Sequence, residues 1–131
     1  MVDEFKKIIK EEIEGAKKRL KAGKFLLEKD MIEDAANRIY YSVFYAAKAM
    51  LNSLGYDAKT HSGLISEFGL RLVKEKLVGK ELGATLRRAF ELRESSDYRI
   101  GSVIEKDEVE NLVKSIEDFL IKAERFVKEK L

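Results

Sequence analysis

With 131 residues, the chain can close one hydrophobic core but is too short for two, so a single domain over 1–131 is expected. Hydrophobic residues at 45%, charged residues at 38% and no proline describe a folded, helix-rich chain, while 26 basic against 24 acidic side chains exclude a global field that would drive it onto nucleic acid or anionic lipid. The lack of cysteine excludes disulfide scaffolds, thiolate nucleophiles and cysteine-type zinc sites.

The first apolar stripe, Phe5, Ile9, Ile13, Ala16, Leu20 and Leu27, has helical spacing and predicts a long first helix, weakened locally by Gly15 and Gly23. A second helix is predicted from Asp34 to about Ser53, with Ala36, Ile39, Tyr40, Val43, Ala47, Met50 and Leu51 on its apolar face. Gly55 follows as a left-handed cap, and Thr60 or Ser62 is placed to cap a shorter third helix carrying Leu64, Ile65, Phe68, Leu72 and Val73 up to a break near Gly79. A fourth helix is expected from about Lys80 to Tyr98. Its stripe of Leu82, Leu86, Ala89 and Phe90 continues to Arg93 and Asp97, where a core residue belongs. Gly101 is placed to end it. The fifth helix begins either with a Ser102–Glu105 capping box or with an Ile104–Val109 staple around Glu105, and its stripe runs from Val109 to Val127. No period-two segment or hairpin turn appears, so the fold class is all-α, a four- or five-helix up-and-down bundle.

No apolar stretch reaches the ~18 residues of a membrane span, and Met1 leads directly into charged residues, so a cytoplasmic protein without membrane partners is expected. Phosphate-binding glycine loops and metal-ligand spacings are absent, so neither metal nor cofactor is expected.

Three groups of residues could carry chemistry. Arg93 and Asp97 stand one helical turn apart and can pair, and an arginine ending an apolar stripe presents planar donors suited to phosphate. A structural ion pair to a neighbouring helix or subunit is the more ordinary reading. On the second helix Asp34, Arg38, Tyr41, Tyr45 and Lys48 share a face beside the apolar stripe. Arginine with interleaved tyrosine can stack bases and hold phosphates, yet it equally suits a protein interface, and packing or dimerisation is favoured. His61, in Thr60-His61-Ser62-Gly63, stands at the start of the third helix, where a helix terminus lowers an imidazole pKa. A structural hydrogen bond is the commoner role for a histidine beside a cap.

The run Ala35-Ala36-Asn37-Arg38-Ile39-Tyr40-Tyr41-Ser42-Val43-Phe44-Tyr45-Ala46-Ala47 resembles the second helix of the HEPN domain family, in its small stand-alone branch. Lys59-Thr60-His61-Ser62-Gly63 with Phe68, and Leu92-Arg93 through Asp97-Tyr98, resemble two further stretches in the same order, together covering roughly residues 30 to 125. The resemblance implies a HEPN-like helical bundle that forms a homodimer and is encoded beside a nucleotidyltransferase as a toxin–antitoxin pair. It also implies a metal-independent ribonuclease motif, Arg-x(4–6)-His, in which the arginine holds the scissile phosphate and the histidine moves protons.

Arg93 matches the arginine of that motif, but no histidine follows within the window, where Tyr98 stands at its first position with Asp97 just before it. Relatives often have histidine at the position of Tyr45 as well. The leading expectation is therefore a homodimeric binding module that pairs with a nucleotidyltransferase partner or takes RNA or nucleotide near Arg93, Asp97 and Tyr98. Tyr98 is also, by the resemblance, a candidate acceptor for nucleotidylation. The rivals are a ribonuclease toxin using Arg93 with Asp97, Tyr98 or His61, and a purely structural oligomerisation domain. The candidate catalytic residues are thus Arg93, Asp97 and Tyr98, and the candidate ligand or interface residues are Arg38, Tyr41, Tyr45 and His61.

Overall fold

The computed structural model describes residues 3–98, without the side chains of residues 96–98, and residues 104–131. They form five α-helices with no strand among the described residues: α1 (Asp3–Glu28), α2 (Ile32–Ser53), α3 (His61–Phe68), α4 (Lys80–Tyr98) and α5 (Lys106–Lys130). One turn of π-helix, Gly69–Val73, prolongs α3.

The apolar stripes read from the sequence become the core. Ile9, Ile13, Ala16 and Leu20 of α1 are buried, as are Leu82, Leu86 and Ala89 of α4 and Val109, Leu112, Ile116 and Phe119 of α5. Each of these side chains larger than alanine contributes roughly 1.5–3 kcal/mol on leaving water. α2 is different, because its buried residues cover more than half of its circumference instead of forming one stripe, leaving the face of Asp34, Arg38, Tyr41, Tyr45 and Lys48 outside. Ala35, Ile39, Tyr40, Ser42, Val43, Ala46 and Met50 are all buried, and α2 packs against each of the other four helices. A helix covered on most of its sides is the centre of a bundle.

The α1–α2 pair explains one residue that local propensity misjudges. Gly23 is buried, and a Cβ added to it would lie 2.7 Å from Ile39 Cγ1. The glycine permits close approach of the two helices, an advantage that offsets its intrinsic cost of about 1 kcal/mol. Nearby, the buried Ser42 hydroxyl donates to the Ala16 carbonyl at 2.8 Å, which fixes the register of the pair.

The connections place α3. After α2, Gly55 adopts φ +88°, the left-handed turn expected of it. The loop is held by Tyr56, whose ring lies 4.5 Å from the guanidinium centre of Arg71, itself bonded to Glu67 at 3.0 Å. Thr60 is the N-cap of α3, its hydroxyl accepting from the Gly63 amide at 2.9 Å. His61 therefore becomes the first residue of that helix. Helix α3 reaches only to Phe68 before the π-turn, and so ends earlier than a helix running up to Gly79. At α5, Glu105 is the N-cap and forms a capping box with Glu108, with Ile104 and Val109 both buried beside it. This is the staple alternative. Gly101 and Ser102 lie outside the described residues.

Candidate functional site

The site is built on two successive turns of α2. Tyr40, Tyr41, Phe44 and Tyr45 recur at steps of one and four, so they form two adjacent rows of rings on one side of the helix. Tyr40 and Phe44 make the inner row and are buried; Tyr41 and Tyr45 make the outer row and are half-buried. The rings pack edge to face or tilted, Tyr40 with Tyr41 at 5.1 Å and Phe44 with Tyr45 at 5.3 Å between centroids.

Two polar side chains from other helices close onto these rows. The His61 imidazole, from the start of α3, stacks on Phe44 with centroids 4.6 Å apart and meets the edge of Tyr41 at 5.8 Å. Its Nδ1 lies 2.6 Å from the Tyr40 hydroxyl, a hydrogen-bonding distance. From α4, the guanidinium centre of Arg93 stands 5.2 Å from the Tyr40 ring centroid and 5.4 Å from that of Tyr41, within cation–π range of both. At the far end of the outer row, Arg19 of α1 covers Tyr45 at 4.5 Å.

The electrostatics follow from this packing. Burial pushes the Tyr40 phenol well above its ordinary value, and the Arg93 charge offsets only part of that rise, so the hydroxyl keeps its proton throughout the working pH range. The His61 imidazole is held below its ordinary value, first by burial and then by the positive charge of Arg93, with Glu94 opposing. The lowering expected of a helix terminus is therefore present but arises from burial and Arg93. The site pairs a fixed cation with a neutral imidazole, an arrangement that can receive an anionic oxygen from two directions.

Of the residues singled out in the sequence, Arg93, Tyr41 and His61 come together here. Tyr45 lies one turn further along, under Arg19. Arg38 is exposed, on the side of α2 that faces Gly23, and no hydrogen bond, ion pair or ring contact joins it to Arg93 or His61 among the described residues. Asp97 and Tyr98 belong to the last turn of α4, but their side chains lie outside the described residues. Sequence reasoning missed Tyr40, Phe44 and Arg19. Tyr40 counts as one more apolar position in a periodic stripe, although its hydroxyl, in a residue only 1% exposed, requires a partner. Among the described residues no cluster of acidic, histidine or cysteine side chains could hold a metal ion, and no helix is long and apolar enough to cross a membrane.

Comparison with known proteins gives this arrangement a family. The model of the HEPN domain matches residues 9–126. A UPF0332 protein of Thermotoga maritima is 34% identical, with 98% of this chain and 97% of the relative aligned. The proteins named "Putative toxin MJ0605" and "Putative toxin MJ0142", both of Methanocaldococcus jannaschii, are 33% and 32% identical over 94% of this chain, covering 94% and 84% of their own lengths. A bundle of this form, matched along nearly its whole length, makes the chain a member of the HEPN domain family.

Proposed function

We propose that this protein is a toxin-type HEPN module that binds a phosphate of RNA or nucleotide at the face formed by Arg93, His61 and the α2 tyrosines. It works as a homodimer beside a nucleotidyltransferase-type partner. The observation that carries the reading is the convergence of Arg93 and His61 on Tyr40 and Tyr41 from two different helices. An arginine on an aromatic wall beside a neutral imidazole offers directed donors to phosphate oxygens, and the half-buried tyrosine ring beside it offers a stacking surface. Two relatives named as toxins support the toxin-type role.

The test is the affinity of the purified protein for a labelled single-stranded RNA at fixed salt, beside Arg93→Ala of verified fold. A charged hydrogen bond contributes about 1.5–3 kcal/mol, so the variant is expected to lose roughly tenfold to hundredfold in affinity. Equal affinity of the two proteins would contradict the reading.

A second reading is favoured by one specific observation. The histidine missing from the Arg-x(4–6)-His window has a spatial counterpart in His61, whose ring lies near enough to Arg93 to respond to its charge. Under that reading the protein is a metal-independent ribonuclease, and the same RNA incubated in EDTA is cleaved by the wild type and left intact by Arg93→Ala.

A further inference from the structure

The histidine tautomer separates these two readings, and the packing around His61 bears on it. The Tyr40 hydroxyl is enclosed between α2, α3 and α4, and among the described residues its hydrogen-bond partner is His61 Nδ1, 2.6 Å away. A hydroxyl buried in this way needs an acceptor for its proton. A phenolic O–H is a stronger acid than a neutral imidazole N–H, and the unprotonated imidazole nitrogen is a better acceptor than a phenolic oxygen. The reverse bond, with Nδ1–H donating to Tyr40, would leave the phenolic proton without an acceptor among the described residues. Stacking on Phe44 at 4.6 Å and on Tyr40 at 5.6 Å holds the imidazole plane, so rotation about the side chain does not readily exchange the two nitrogens.

We infer that Tyr40 is a positioning residue that donates its hydroxyl proton to His61 Nδ1, so that the imidazole proton resides on Nε2 and His61 meets a phosphate oxygen as a hydrogen-bond donor. The inference rests on the phosphate-binding reading of the same site and goes beyond it in assigning the direction of the proton. In this state His61 has no free lone pair to offer a substrate hydroxyl. The nitrogen that could act as a base is occupied by Tyr40. A cleavage mechanism with His61 as base requires the opposite tautomer, with the Tyr40 bond reversed or broken. Among the described residues the titratable and charged groups facing His61 are Tyr40 and Tyr41 from α2, with Arg93 and Glu94 from α4, and none of them is a carboxylate seated on Nδ1.

His61 is the chain's only histidine, so an untagged protein gives one imidazole in a long-range proton–nitrogen correlation spectrum. At neutral pH the wild type is expected to show two widely separated nitrogen shifts, with Nε2 protonated and Nδ1 shifted as a hydrogen-bond acceptor. In Tyr40→Phe the two shifts should move towards each other as the tautomers mix. A protonated Nδ1 in the wild type, or shifts unchanged in Tyr40→Phe, overturns the inference. Inorganic phosphate is then added at low salt. A saturable movement of the Nε2–H signal, absent in Arg93→Ala, supports donation to phosphate. The expected tautomer with no response to phosphate overturns the donor role and the phosphate site while leaving the Tyr40 assignment standing. A phosphate response from a ring protonated at Nδ1 overturns the assignment and leaves the site. A second pair of variants does not depend on Tyr40. His61→Gln keeps an N–H donor at the ε position and should hold RNA affinity within about threefold, whereas His61→Asn should lose roughly tenfold. Equal losses in both contradict the donor role.

Discussion

The α1–α5 groove and the aromatic face of α2 differ in what they offer a ligand. The groove is an open cavity of about 570 Å³, and it exposes Phe25 and Ile121 at 58% and 60%. Its charges, however, cancel across the opening, where Lys17 pairs with Glu124 and Lys24 with Glu117. The α2 face gathers a guanidinium, a neutral imidazole and a buried phenol over one set of rings, and the Arg93 charge lowers the proton affinity of both the imidazole and the phenol. Under the phosphate-binding reading proposed above, volume therefore does not locate the chemistry. Under that reading the convergence of polar side chains on one buried aromatic cluster does.

That contrast can be broken most directly at Arg93. Arg93→Ala removes the cation of the α2 face and is expected to reduce RNA affinity by roughly tenfold to hundredfold, read by fluorescence anisotropy at fixed salt. Tyr40→Phe comes next, with an expected loss of about 0.5–1.5 kcal/mol of stability in urea unfolding, since one buried hydrogen bond disappears while the ring remains.

The third effect depends on pH. The folded-state pKa of His61 lies below its unfolded value, so the unfolded chain takes up the proton first as pH falls. The stability associated with neutral His61 is complete above the unfolded pKa of about 6.5 and is lost as pH falls through the lower folded pKa. The half-buried carboxyl of Glu12, raised mainly by desolvation, acts in the opposite sense as pH falls. The comparison that isolates His61 is thus the difference in unfolding free energy between wild type and His61→Gln, which should shrink on acidification. The smallest effect belongs to the groove. Lys24→Ala breaks a half-exposed pair and should cost less than about 0.5 kcal/mol, with RNA affinity changed by under about twofold.

The fold was legible because apolar spacing is a local property. The stripes of α1, α4 and α5 can be read without knowing what they pack against, and Gly55 and Thr60 announce their turns. Where the reading failed, the reason was a neighbour distant in sequence. Gly23 looks like a weak point until Ile39 stands against it. Arg93 was conspicuous because it interrupts an apolar stripe, and His61 because it follows a cap, but nothing in either segment says that they meet. Their meeting depends on the 54–60 connection, with Tyr56 under Arg71, and on α2 lying between α3 and α4. Tyr40 was hidden in a different way, since a hydrophobic pattern registers its ring and ignores its hydroxyl.

The central claim is that Arg93 and His61 act on one phosphate as a unit. A double-mutant cycle on RNA affinity, with Arg93→Ala, His61→Ala and the double variant measured at one salt concentration, tests it most directly. The account predicts that the double variant loses less than the sum of the two single losses, with a coupling of about 1 kcal/mol or more. Losses that add within about 0.3 kcal/mol would mean that the two side chains serve separate contacts, and would contradict it.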